Sequence, residues 1–319
     1  MNSQIRGVLG CLMLLIAGIG QAQTGTDPQA EFSRHIQQAQ RYLAQKRPDL
    51  AIPELQAAAT INPDNVETQG ALGVLLFFQG NAAEAIPHLR MAVEKQPSLS
   101  RIQGILGIAE LHTQDFVDGR KDLETAFPAI DDLTFKLQVG LELVGFYRDS
   151  GELEQAAGIL AQLKKIAPDN PEVLYASYRT YSDLSSEAMI ALSLAAPDSA
   201  QMHQLLAHEE IKEGNTNAAI AQYRKAIVID PRLPGVHFEL AELLHSSQDP
   251  AVKKEAERGY RAALQENPQD EKTICALAEI AETRGDTQQA YDDYSKAVAL
   301  EPGDANAKLG LAKVLIELD

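Results

Sequence analysis

Residues 271–304 read EKTICALAEIAETRGDTQQAYDDYSKAVALEPGD. Ile274, Leu277, Ala278 and Ala281 recur at the spacing that gives a helix one buried face. Gly285-Asp286 breaks that pattern. Ala290, Tyr294 and Ala297 then mark the face of a second helix, and Pro302 ends it, because proline has no amide to continue the backbone ladder. Short side chains at Ala278, Ala290 and Ala297 let the two helices cross closely. A hairpin this small leaves an apolar face uncovered, so it predicts neighbours of its own kind.

The closing prolines mark those neighbours. Pro63 to Pro97, Pro197 to Pro231 and Pro268 to Pro302 are each 34 residues apart, and Pro231 to Pro268 is 37. Pro97 to Pro168 spans 71, room for two units with one proline missing, and Pro168 to Pro197 spans 29, a shortened unit. One copy carries Leu72-Gly73, Gly80, Ala85, Leu89, Ala92 and Pro97; another carries Leu206-Ala207, Gly214, Ala219, Tyr223, Ala226 and Pro231. A 34-residue period with small residues at these places resembles the tetratricopeptide repeat. The resemblance covers residues 32–318. It implies an all-α fold, a right-handed α-solenoid or superhelix of about eight helix-turn-helix units plus a terminal helix. It also implies that the first helix of each unit lines a concave groove, and that the groove binds peptide or protein segments without chemistry of its own.

The expected organisation is a signal peptide over 1–22, a linker over 23–31 and a solenoid over 32–319. Its units are 32–65, 66–99, 100–136, 137–170, 171–199, 200–233, 234–270 and 271–304, followed by a terminal helix at 305–318. In unit 171–199 the first helix carries Tyr175, Tyr178 and Tyr181, and the second is cut to Ser186–Ala195. In unit 234–270 the turn is lengthened around Ser246–Pro250. Gly119 stands where other units have alanine. Pro53 and Pro87 share one phase, which places them near the first turn of their helices, where a missing amide costs least.

Arg6, the apolar run from Val8 to Ile19 and the small residues Gly20-Gln21-Ala22 have the plan of an export signal. The run is short for a membrane span. Val8-Leu9-Gly10-Cys11 has the residue types of a lipidation box, but too little apolar sequence precedes Cys11 for that reading. Cleavage after Ala22 leaves Cys275 alone, so no internal disulfide is expected, and the thiol reads as packed or groove-lining. The chain is therefore expected to be exported, periplasmic or secreted, with no membrane span after cleavage.

The chain has a formal charge of −17, with 45 acidic residues against 28 basic ones. That balance argues against nucleic acid as a partner, since nucleic acid needs clustered Lys and Arg. His208-Glu209-Glu210-Ile211-Lys212 falls one residue short of the zinc-protease pattern, and His203 lies at the wrong helical spacing to complete it. There is no Gly-rich phosphate loop and no nucleophile elbow. Acid pairs such as Asp131-Asp132 point to different faces. No catalytic residue, metal ligand or cofactor is expected, and the chain does not read as an enzyme.

In the family, positions 2, 5, 9 and 12 of each first helix tend to face the groove. Mapped here, they give a candidate partner-binding set of Ile36, Leu43, Val74, Phe77, Ile108, Leu111, Leu141, Arg148, Tyr175, Arg179 and His208. Further along they give Phe238, Glu242, His245, Lys272, Glu279 and Glu282. The expected groove is thus apolar at its N-terminal end, aromatic with two arginines in the middle and acidic at its C-terminal end. The two arginines could grip carboxylates. The family's clamp for chaperone C-termini wants Lys and Asn where this chain has Ile36, Gln40 and Val74, so that ligand is not expected.

The expected function is a non-catalytic scaffold for protein partners in the cell envelope. Two alternatives remain open: the interaction half of an enzyme such as a repeat-linked glycosyltransferase, or a rod that self-associates through the apolar helix 305–318.

Overall fold

The computed structural model describes residues 27–247 and 249–318, which form 16 α-helices and no strand. The expected signal at 1–22 lies outside the described residues. The described residues fall into two compact units, one ending at Leu184 and one beginning at Ser185.

The first unit opens with four antiparallel hairpins: α1 (Pro28–Ala44) with α2 (Pro48–Ile61), α3 (Val66–Phe78) with α4 (Ala82–Lys95), α5 (Ser100–His112) with α6 (Phe116–Ala129), and α7 (Leu133–Asp149) with α8 (Leu153–Ile166). Helix α9 (Pro171–Ala195) follows, and the division falls within it. The second unit continues with α10 (Ala200–Lys212) and α11 (Thr216–Ile229), α12 (Val236–His245) and α13 (Pro250–Glu266), α14 (Glu271–Arg284) and α15 (Thr287–Leu300), and ends on α16 (Ala305–Leu318).

Local chemistry sets most helix starts. The side chains of Asn65, Asp132, Ser199 and Asp270 accept from the free amides of Thr68, Phe135, Met202 and Thr273 at 2.8, 2.9, 3.2 and 3.1 Å. Each such cap contributes about 1 kcal/mol. Asp27 caps α1 with Pro28 at its first position, so that helix starts inside the expected linker. Six of the seven hairpin turns pass through a left-handed residue: Gly80, Gly151, Gly214 and Gly285, with Lys46 and Gln114 in the same role.

Three expectations need correction. Residues 171–195 form one continuous helix, not a hairpin, because Asp183-Leu184-Ser185-Ser186 offers neither glycine nor proline to reverse the chain. In residues 234–270 the additional length enters the second helix, since Asp249 caps α13 from Pro250 onward and α13 runs to 17 residues. Pro53 and Pro87 sit in the second turns of α2 and α4, inside helices that continue past them.

The two units are packed differently. Leu72, Leu89, Ile105, Leu106, Leu123, Leu143, Leu160 and Leu163 fill the first. Fully burying each such side chain stabilises by about 2 kcal/mol. The second rests on alanines at 207, 219, 226, 241, 256, 278 and 290, with Tyr223, Tyr260 and Tyr294 between them. Alanine brings the helices close, and each tyrosine fills the space left while its hydroxyl needs a polar partner. Tyr294 donates to Glu282 at 2.9 Å and Tyr260 to Glu242 at 2.5 Å. Gly119 marks a tight crossing: a Cβ there would lie 2.9 Å from the backbone nitrogen of Leu111 and 3.0 Å from the carbonyl of Gly107.

Candidate functional site

Three successive first helices of the second unit, α12, α14 and α16, wall a cleft of about 320 Å³. Phe238, Glu242 and His245 line it from α12, and Glu271, Lys272, Cys275, Ala276 and Glu279 from α14. Asp304, which caps α16, and Asn306 close one end, while Tyr260 of α13 reaches in from behind. Spacing along α14 explains the cluster: Glu271, Cys275 and Glu279 are four residues apart and share one helical face.

The cleft is held by polar contacts between hairpins. His245 Nε2 lies 3.5 Å from Glu279, and its ring meets that of Tyr260 edge-on at 5.9 Å. The same device recurs one hairpin earlier, where His208 Nε2 lies 3.1 Å from Glu239 and its ring meets Tyr223 at 5.9 Å. Phe238 packs edge-on against Tyr260 at 6.0 Å.

Four carboxylates face the cleft, and neighbouring groups register them. Burial pushes the Cys275 thiol up to about 12, with Glu279, Glu271 and Asp304 adding to the effect. Burial raises Tyr260 above the ordinary phenol value, and its hydrogen bond to Glu242 raises it further. Glu271 is raised by burial and by the carboxyl of Asp304 beside it. Asp304 is lowered, because the backbone amides of Ala307 and Asn306 donate to it. A thiol held this far from ionisation is a poor nucleophile, so Cys275 serves packing.

Residues 42–107 match a family model described as a tetratricopeptide repeat, and residues 189–297 match the cytochrome c-type biogenesis protein H TPR domain. The chain belongs to the tetratricopeptide-repeat family. It is 43% identical over 56 residues to a Haemophilus influenzae protein named for cytochrome c-type biogenesis, CcmH, covering 18% of this chain and 12% of that one. It is 29% identical over 116 residues to the alginate biosynthesis protein AlgK of Pseudomonas syringae pv. tomato, covering 36% of this chain and 24% of that one. The matches thus span under a quarter of each relative's length. Among solved structures, the P58(IPK) TPR domain covers 90% of this chain and 98% of its own at 16% identity and a TM-score of 0.40. A tetratricopeptide repeat protein from Parabacteroides merdae covers 90% and 99% at 13% identity and the same score.

The groove positions mapped from the tetratricopeptide family meet different fates. Ile36, Leu43, Val74 and Ile108 are buried and belong to the core of the first unit, so they offer no open surface. Phe77, Leu111 and Leu141 are half-buried against that core. Arg148 is held by Asp183 at 2.8 Å, and His208 by Glu239. Tyr175 and Arg179 are exposed, with the guanidinium 5.9 Å from the ring centre. Of the positions mapped further along, Glu242, His245, Lys272 and Glu279 converge with Phe238 on one cleft, while Glu282 accepts from Tyr294 and is not part of its lining. Glu271, Asp304 and Tyr260 join them without having been singled out. A signal was present: Glu271 and Asp304 are the first residue of one first helix and the cap of the next, one repeat apart.

A second acidic grouping lies in the first unit, where Glu110, Asp115 and Asp118 stand close enough to share one ion. Arg90 already occupies that place, with Nη2 2.6 Å from Glu110, 3.3 Å from Asp118 and 3.7 Å from Asp115. Its guanidinium supplies the charge that a metal would.

Proposed function

We propose that this tetratricopeptide protein is a non-catalytic scaffold, exported to the cell envelope, that holds a segment of a protein partner in the cleft of its second unit. The observation that carries the proposal is the cleft itself, a concave wall made by three first helices and lined by polar groups and one half-buried aromatic ring. The alanine-tyrosine core supports it, since close helices with few rearrangeable side chains hold the wall in one shape. Both matched models describe repeat domains, and the one matching 189–297 covers α12, α13 and α14, which supply most of the cleft's lining. Its name, and that of the CcmH relative, support a partner that is itself a protein under assembly. The leader-like composition of 1–22 supports export.

The test is a photo-crosslinking residue placed at Lys272 in the cleft, with Lys225 on the exposed face of α11 as the control. Partner adducts form from position 272 and not from 225 in cells that make the protein. Equal adducts from both positions would refute the cleft as the docking place. N-terminal sequencing of the envelope-fraction protein tests export, with Gln23 as the expected first residue.

A second reading is favoured by α16, where Leu309, Leu315, Ile316 and Leu318 are exposed. On that reading copies associate end to end. Sedimentation across a concentration series separates the two: growing oligomers abolished by Leu315→Glu with Leu318→Glu would favour assembly.

A further inference from the structure

We infer that the cleft of the second unit recognises a cationic side chain, arginine before lysine, on an extended segment of its partner. The inference rests on the docking role proposed above and gives that role its chemistry.

At several crossings elsewhere in the chain, carboxylates are answered by the chain's own arginines. Arg224 grips Glu255 with two bonds of 2.9 and 2.8 Å. Arg120 bridges Glu124 and Glu152, each at 2.7 Å. Arg284 reaches Glu257 at 3.2 Å, and Arg90 neutralises the Glu110 group. The cleft breaks this habit. Glu242, Glu271, Glu279 and Asp304 line it with no arginine among them; its one lysine, Lys272, is exposed, and His245 Nε2 reaches Glu279. The Glu271 carboxyl lies against that of Asp304, but its Oε1, like Nδ1 of the half-buried His245, is covered and has no hydrogen-bond partner of its own among the described residues. A buried acceptor left unmatched costs free energy that a partner's donor recovers.

The shape selects among cations. These acids do not converge on a point: among the described residues, the grouping close enough to hold a single ion is Glu110, Asp115 and Asp118. Spread acceptors suit a fork of N–H donors better than a bare metal. The half-buried ring of Phe238, backed by the buried Tyr260, adds an aromatic face against which a planar guanidinium stacks. The volume, about 320 Å³, takes a long side chain with the backbone that bears it. The upward shift of the Cys275 thiol, partly due to Glu279, Glu271 and Asp304, registers the same negative potential.

The experiment is selection of a random peptide library on the purified protein, followed by anisotropy titration of the selected peptides. The same peptides are crosslinked from position 272. Selected peptides carry arginine or lysine, crosslink at 272 and bind more weakly as salt rises. Glu279→Gln with Glu271→Gln weakens them about tenfold, the loss expected for a charge-assisted hydrogen bond. Glu279→Gln alone, at an exposed position, weakens binding in the same direction, and its unchanged melting curve shows that the fold is kept. Peptides that crosslink at 272 but lack cations, or basic peptides indifferent to both variants, overturn the inference and leave the docking role standing. Failure of every peptide to crosslink at 272 overturns both.

Discussion

The guanidinium of Arg90 meets the carboxyl of Glu110 at 2.6 Å and thereby ties α4 to α5 across the boundary between two hairpins. Glu110 is fully buried, and burial pushes its carboxyl up to about 7, although the hydrogen bond from Arg90 pulls the other way. A carboxyl raised in the folded state favours folding while it keeps its proton. That stabilisation is complete below the unfolded value, near 4.5, and is lost as pH rises through about 7. The first unit should therefore become easier to unfold in urea between pH 5 and pH 8, by at most about 3 kcal/mol. Glu110→Gln should flatten that dependence. A slope unchanged in the variant would assign it to other groups.

Lys46 and Gln114 turn their hairpins with φ of 58° and 67°, where Gly80, Gly151, Gly214 and Gly285 do the same work elsewhere. A side chain in the left-handed region costs about 1 kcal/mol, and glycine removes that cost while adding some unfolded-state entropy. Gln114→Gly should stabilise the protein by about 0.5 kcal/mol, and Lys46→Gly similarly, read as a rise of about 2 °C in melting temperature. A fall would show that side-chain contacts at the turn outweigh its backbone strain.

Cys275 is buried against Ala278 and Ile274 in the core of the last hairpin, with its thiol raised to about 12. At pH 8 the native protein should react with a thiol reagent no faster than it unfolds, and fully and rapidly in denaturant. Fast labelling without denaturant would show the cleft opening on its own.

Much of this architecture was legible because its punctuation is chemical. Pro63, Pro97, Pro231, Pro268 and Pro302 each follow a helix end, and Gly285 does break its hairpin as read. Residues 171–195 misled for the complementary reason: a period was imposed where no turn residue existed to enforce it. The site was harder to read, because facing the next hairpin and facing solvent look alike in sequence. Ile108 and Phe77 both occupy first-helix positions, yet Ile108 is sealed by its neighbours and Phe77 is only half covered. Charge was the better guide. Glu242, Lys272 and Glu279 cannot be buried cheaply, so their helical face had to stay open.

Helix α16 docks through Ala307, Gly310 and Val314, all buried, and Gly310 lies directly against the ring of Tyr294. A Cβ at Gly310 would collide with that ring. The ring cannot simply swing away, because its hydroxyl is bonded to Glu282 and its body is packed against the alanines of α14 and α15. Gly310→Ala should therefore push α16 off the hairpin, where a helix interior would otherwise favour alanine by about 1 kcal/mol. The expected net loss is about 1–3 kcal/mol, the usual cost of overpacking a close contact. Hydrogen exchange should locate it, with amides of residues 305–318 exchanging faster while those of α10 and α11 keep their protection. Gly310→Ala combined with Tyr294→Phe tests the mechanism, since freeing the ring from Glu282 should restore part of the protection in α16. Exchange in α16 as slow as in the parent protein would mean that the contact yields without cost.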